Sequence, residues 1–130
     1  MAGSANALQA AIFTRLTDDP ELTGLIGAGS IFDRKITARS MPYLVLSECV
    51  TSEFGPDAEE HLVTIEVWSD AEGRRQAQEI AARVKTLLED AALDLAAFSL
   101  VNLAHRSTRV AREARTKAHV ARMVFRAVTE

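Results

Sequence analysis

The periodicity of the chain changes at Ser69, and that switch constrains the fold more than any other feature. Before it, His61–Trp68 alternates. Leu62, Thr64, Glu66 and Trp68 fall on one face of an extended chain, and His61, Val63, Ile65 and Val67 on the other. After it, Ala77, Ile80, Ala81, Val84, Leu87 and Leu88 recur at three- and four-residue steps, the stripe of a half-buried helix. Ser69 and Glu72 have capping-box spacing. The expectation is a strand that runs directly into a helix reaching about Asp90. On the exposed side of that helix, Glu79 with Arg83 and Lys85 with Glu89 are expected i,i+4 pairs, worth roughly a few tenths of a kcal/mol each.

The same reasoning extends to both ends. Ala5, Leu8, Ile12 and Leu16, widened by Ala11 and Phe13, predict a helix over Ala5–Thr17 with Ser4 as its N-cap. Asp19 can cap a short second helix with Pro20 at its first position and Leu22, Leu25 and Ile26 facing inward. Ser30–Ile36 reads as a short strand, followed by a loop at Thr37–Met41. Pro42 then opens a strand through Tyr43, Leu44, Val45 and Leu46, where its missing N–H matters least. Thr51–Glu60 reads as a loop on the strength of Gly55-Pro56-Asp57.

Near the C-terminus, Phe98–Val110 and Lys117–Thr129 read as two long strands. Ala121, Met123, Phe125 and Ala127 share one face, and Val120, Arg122, Val124, Arg126 and Val128 the other. The tip between them, Ala111–Thr116, lacks a tight-turn dipeptide, so a longer, mobile, basic tip is expected. The order is helix, short helix, three strands, helix, two strands. It predicts an α+β fold with a mainly antiparallel sheet of four to five strands, two principal helices on one face and a C-terminal β-hairpin. At 130 residues the chain is expected to be one domain over 1–130, large enough to bury a core without staples.

The search for chemistry mostly excludes. Cys49, the one cysteine, rules out an internal disulfide and reads as a small buried thiol. His61, His105 and His119 each stand alone, without metal-ligand spacing, and read as exposed strand histidines. Asp57, Glu59 and Glu60 lack the spacing of a calcium loop. Ile65-Glu66-Val67-Trp68 places Trp68 where a metal-dependent nuclease strand needs a basic residue. The glycines at 24, 27 and 29 follow no strand and match no nucleotide-binding pattern, and no serine has a nucleophile-elbow setting. No catalytic, cofactor-binding or metal residue is expected, and no cofactor. The first residues lack a charged-then-apolar leader and no run is long enough to span a membrane, so a cytosolic protein is expected unless a particle carries it out.

Charge is the informative feature. The formal net charge is −3, but it is unevenly spread. Residues 1–100 hold 8 basic and 16 acidic side chains, net −8, and residues 101–130 hold 7 and 2, net +5. Arg106, Arg109, Arg112, Arg115 and Lys117 fall on the expected hairpin and form the candidate interface, reaching an acidic partner surface. That hairpin lacks the aromatic residues that stack on bases, so protein contact is favoured over nucleic acid.

Several segments in order resemble the phage tail completion, or tail terminator, proteins of long-tailed phages and gene transfer agents. They are Leu8-Gln9-Ala10-Ala11-Ile12 with Leu16; Ile31-Phe32-Asp33-Arg34; Met41-Pro42-Tyr43-Leu44-Val45-Leu46; and Val67-Trp68-Ser69 followed by Gly73-Arg74, Ala77, Ile80 and Leu88. A late pair of strands ending in Arg122–Thr129 completes the set. The resemblance implies a non-enzymatic virion subunit, assembled in the bacterial cytoplasm, that caps the head-proximal end of the tail tube. It implies a homohexameric ring contacting the tail tube protein and the head-tail stopper or connector, with DNA passing through the lumen without sequence-specific binding, and no membrane. A head-tail stopper, or a small nucleic-acid-binding protein using the basic hairpin, are the alternatives.

Overall fold

The computed structural model describes residues 3–33 and 40–130. The elements follow the expected order: α1 (Ser4–Thr17), α2 (Pro20–Ile26), β1 (Ile31–Phe32), β2 (Tyr43–Glu53), β3 (Glu59–Ser69), α3 (Arg75–Leu88), β4 (Leu100–Arg112) and β5 (His119–Thr129). The strands form one sheet in the order β1-β2-β3-β5-β4. Only β1 is parallel to its neighbour; the other pairings are antiparallel. The α+β expectation is met. Of the strand read over Ser30–Ile36, the structure places Ile31 and Phe32; Arg34–Ile36 and the first residues of the following loop lie outside the described residues.

The helices cover one face of the sheet. The α3 stripe is buried throughout, from Ala77 to Leu88, and packs on β3, β4 and β5. Each of its large aliphatic side chains contributes about 1.5–3 kcal/mol by leaving water. Opposite them lie Leu44, Leu46, Val63, Ile65, Val67, Leu103, Met123 and Phe125, in one continuous core with Leu8, Ile12 and Leu16 of α1. On the helix-free face a smaller cluster forms around Tyr43, Val45, Trp68 and Ala118. There Tyr43 and Trp68 stack with ring centroids 6.2 Å apart, and Phe32 meets Tyr43 edge-on.

Tertiary contacts overrule several local expectations. Ser4 is the first residue of α1, not its cap; Gly3 holds the cap position without a side-chain bond. Phe13 and Leu25, read as inward, are exposed. Asp19 does cap α2, accepting the Leu22 N–H at 2.8 Å. Its carboxylate also takes a bidentate bond from Arg83 of α3, at 2.7 and 2.9 Å. Arg83 therefore does not pair with Glu79, which bonds Arg75 instead, and Glu89 accepts the His105 N–H. The capping box at Ser69 is displaced for a backbone reason. Gly73 adopts φ +74°, a left-handed turn open to glycine, and α3 starts only after it. The Ser69 hydroxyl accepts the Ala71 N–H and donates to Gln76.

The expected Thr51–Glu60 loop shrinks to a turn. Strand β2 runs on to Glu53, and Phe54 N–H closes onto Ala58 C=O at 3.0 Å. Beyond Leu46 all of β2 is exposed, including Cys49, which is a free surface thiol and not a buried one.

Candidate assembly interface

Strand β4 is one edge of the sheet and carries three of the five candidate cations. Arg106 sits in a bulge between His105 and Ser107. Arg109 faces Arg122 of β5, on the helix-free side, and Arg112 faces His119 at the far end of the strand. Arg115 and Lys117 belong to the tip. All five are exposed, and among the described residues none forms an ion pair. The tip is longer than a tight turn, as expected, and is hydrogen-bonded across itself. Glu113 N–H bonds Ala118 C=O and Lys117 N–H bonds Glu113 C=O, both at 2.7 Å. The Glu113 carboxylate caps Thr116 at 2.7 Å. Lys117 is held at φ +62°.

The remaining hairpin arginines are spoken for. Arg122 bonds Glu66 at 2.7 Å, and Arg126 bonds Glu60 at 2.6 Å while lying 5.2 Å from the Phe54 ring centroid. These pairs cross from β5 to β3 and use up the neighbouring acids. Two sets of charges that form no ion pair among the described residues then lie apart on the sheet: cations on β4 and the tip, and acids on β2 and its turn, at Glu48, Glu53 and Asp57. The β2 acids were missed as a site because the segment reads as strand end and loop. A signal was present: residues 40–73 contain no Lys or Arg.

The β4 edge is covered over its first half. Asp90 N–H bonds Leu103 C=O at 2.9 Å, and Glu89 accepts the His105 N–H. The β2 edge is likewise covered at its start, where β1 pairs with Leu44 and Val45 and Leu44 N–H bonds Ser30 C=O at 2.9 Å. Among the described residues, both edges are open beyond those points.

A second polar cluster lies where α1 meets the sheet, and it has the look of a nucleophile site. Ser4 Oγ is 2.9 Å from His61 Nε2, 2.7 Å from Glu59 Oε1 and 2.6 Å from Thr129 Oγ1. His61 Nδ1 is 2.8 Å from Thr51 Oγ1. Counting protons assigns the roles. A carboxylate only accepts, so Ser4 spends its one hydroxyl proton on Glu59. His61 then donates from Nε2 to Ser4 or Thr129 and accepts from Thr51 at Nδ1. An imidazole already protonated at Nε2 cannot take a proton from Ser4, and Ser4 is 1% exposed. The cluster clasps α1 to β3 and β5. His61, read as an exposed strand histidine, is completely buried, and burial pushes its pKa below the ordinary imidazole value against the opposing pull of Glu59. The Ser4 hydrogen bonds hold the Glu59 carboxyl below its ordinary value.

His105 and His119 do not join it. His105 lays its ring edge-on to Phe125 and bonds Thr108, while His119 lies at the other end of β5. Among the described residues no group of three His, Cys, Asp or Glu is placed to hold a metal ion. No described helix is long and apolar enough to cross a membrane.

Comparison with known proteins sets this surface in context. A family model described as Tail completion protein gp17 matches residues 10–130. The fold superposes with TM-score 0.90 on a chain of a structure described as the virion of a native gene transfer agent particle. That chain is 28% identical, and the match covers 100% of this chain and 99% of the other. A second solved structure, at 11% identity and TM-score 0.64 over 97% of this chain and 95% of its own, shares the fold. No curated protein matches the sequence. The molecule falls in the class of structural proteins of phage-like tails. Within that class, the chain belongs to the tail completion protein family.

Proposed function

We propose that this chain is the tail terminator of a phage or gene transfer agent: a non-enzymatic, single-domain subunit that caps the head-proximal end of the finished tail tube and joins it to the head connector. The observation that carries the reading is the end-to-end superposition, at TM-score 0.90, on a component of a gene transfer agent virion, together with the family match over residues 10–130. Six copies form a ring matched to the tube, assembled in the bacterial cytoplasm, with DNA passing through its lumen. Arg106, Arg109, Arg112, Arg115 and Lys117 supply contacts to acidic protein surfaces. Their exposure and lack of ion pairs among the described residues support this role, since a structural ion-pair face would have them paired.

Deleting the gene tests the reading. Tails of uncontrolled length, or heads without tails, are expected; normal particles would overturn it. A head-tail stopper would instead leave tails of normal length unable to join heads. For the nucleic-acid alternative, binding to duplex DNA that collapses with salt is the diagnostic, and no binding at low salt is expected.

A further inference from the structure

We propose that the sheet continues from one copy to the next: the open half of β4, Ser107–Arg112, pairs antiparallel with the open half of β2, Glu48–Glu53, of the neighbouring copy. This rests on the ring proposed above and names the contact that closes it.

The two open halves match in extent. Among the described residues the β2 cover ends at Val45, just before a bulge between Leu46 and Glu48, and the β4 cover ends at a bulge between His105 and Ser107. Beyond each bulge six residues remain unpaired on their outer side among the described residues. An edge with free N–H and C=O groups is a template for another strand.

The backbone groups point the right way. Glu113 N–H is directed at Ala118 across the hairpin. By the alternation of an antiparallel strand, the polar groups of Arg112, Val110 and Thr108 point away from β5. On β2, Phe54 N–H is directed at Ala58 in the turn to β3. The groups of Glu53, Thr51 and Cys49 therefore point away from β3. Each open half offers three outward residues at the same spacing.

Direction and charge select the partner. Strands β2, β3, β5 and β4 alternate in direction, so β2 and β4 run opposite ways. A neighbour generated by rotation about a ring axis then brings β4 against β2 antiparallel. That is a heterologous contact, the kind that closes rings. The β4 half carries Arg109 and Arg112 with no acid, and the β2 half carries Glu48 and Glu53 with no cation. Pairing β4 with β4, or β2 with β2, would set like charges together.

The open halves also lie at opposite ends of the sheet. Through β5 and β3, Val110 is level with Leu44 of its own copy. Opposite Thr51 of the neighbour it would be displaced by seven residues, about 24 Å at the rise of a strand. A stagger of constant sign at every junction tilts the strands to the ring axis, as closure of a sheet requires.

The single natural cysteine allows a direct test. Cys49 lies on the open half of β2 and its side chain shares the helix-bearing face with Val110 and Arg112. Hydrogen-bonded antiparallel partners sit with Cα atoms about 5.5 Å apart, inside the range a disulfide spans. Thr108→Cys, Val110→Cys and Arg112→Cys, each in the full chain assembled in particles, are oxidised and run on a denaturing gel. At least one is expected to give a ladder of cross-linked species up to the ring, and adding Cys49→Ser is expected to abolish it. Dimers that survive Cys49→Ser, dimers from the unaltered chain, or no cross-link in any variant would overturn the proposal. As a second variant, Thr108→Pro removes one outward N–H without touching a bond to β5. It is expected to keep the circular dichroism of the folded chain while lowering the assembled fraction roughly tenfold or more; full assembly would count against the pairing. Tail length in the same particles reads the terminator role separately. Uncontrolled tails on deletion with no ladder would sink the edge pairing and leave the role standing.

Discussion

The two long hairpins of this molecule are built alike and charged oppositely. Hairpin β2–β3 and hairpin β4–β5 each use strands of 11–13 residues, and both lay an apolar face on the same helices. The first lies within a stretch free of Lys and Arg; the second holds seven cations against one acid, Glu113. Where they meet, β3 beside β5, the charges cancel in pairs: Glu66 with Arg122 and Glu60 with Arg126. Where they face outward, Glu48, Glu53, Arg109 and Arg112 form no ion pair among the described residues. The charge split along the sequence is thereby folded into a split across the sheet, acid on the β2 edge and base on the β4 edge. Inner charges pair within the subunit, and the outer ones, Glu48, Glu53, Arg109 and Arg112, are exposed.

Breaking the outer charge should have the largest effect. Arg109→Glu with Arg112→Glu is expected to prevent assembly of rings or joined tails, read by electron microscopy, while the melting temperature of the monomer stays within a few degrees. Adding Glu48→Arg and Glu53→Arg should recover part of the assembly, because the two edges exchange signs. Unchanged assembly in the first variant would remove the arginines from the interface.

Next comes the clasp between the hairpins on the helix side. His61→Ala strips Ser4, Thr51 and Thr129 of a buried partner and opens a cavity, at a cost of about 2–4 kcal/mol in a urea melt. The same site gives a pH signature. The folded chain holds His61 neutral with its pKa lowered, while the unfolded chain titrates at about 6.5. Below that pH the unfolded state binds more protons, so stability falls as pH drops from about 6.5 until the folded imidazole also protonates. Further loss follows lower in the acid range, where Glu59 and Asp19, both with lowered pKa, lose their charge. A urea midpoint flat between pH 7 and 5 would contradict the assignment of a neutral, buried His61.

The smallest effects belong to the seam pairs. Arg122 is 61% exposed, and Arg122→Ala is expected to cost under about 1 kcal/mol. Arg126 is 25% exposed and lies over Phe54, so Arg126→Ala should cost about 1 kcal/mol more. Equal losses would mean that the ring contact contributes nothing.

Legibility in the sequence followed burial. The α3 stripe, the β3 alternation and the apolar face of β5 pack on the core, and their residue types report it. The outer half of β2 is exposed along its whole length, so Ser47, Glu48, Ser52 and Glu53 carry no period to read and the strand looked like a loop. Ser4, His61 and Thr129 come together across 57 and 125 positions, and no local pattern foretells such a meeting. Arg83 preferred Asp19 to its helical neighbour Glu79 because a two-point contact on a capping carboxylate outweighs a solvated pair. Of the candidate site, the five cations were legible from charge alone. Their acidic counterpart was hidden because it needed the sheet order to show which strand lies at the other edge.

The Ser4–Thr129 hydrogen bond fixes the start and the finish of the described fold at one corner. The basic tip stands at the other end of β5, about 35 Å away for a strand of this length. Whatever precedes Ser4 or follows Thr129 leaves from the same spot. A tag on either terminus would therefore mark one pole of the subunit, and a label at Arg115 the opposite pole. Two such labels, imaged on whole particles, would read out which way up the protein sits.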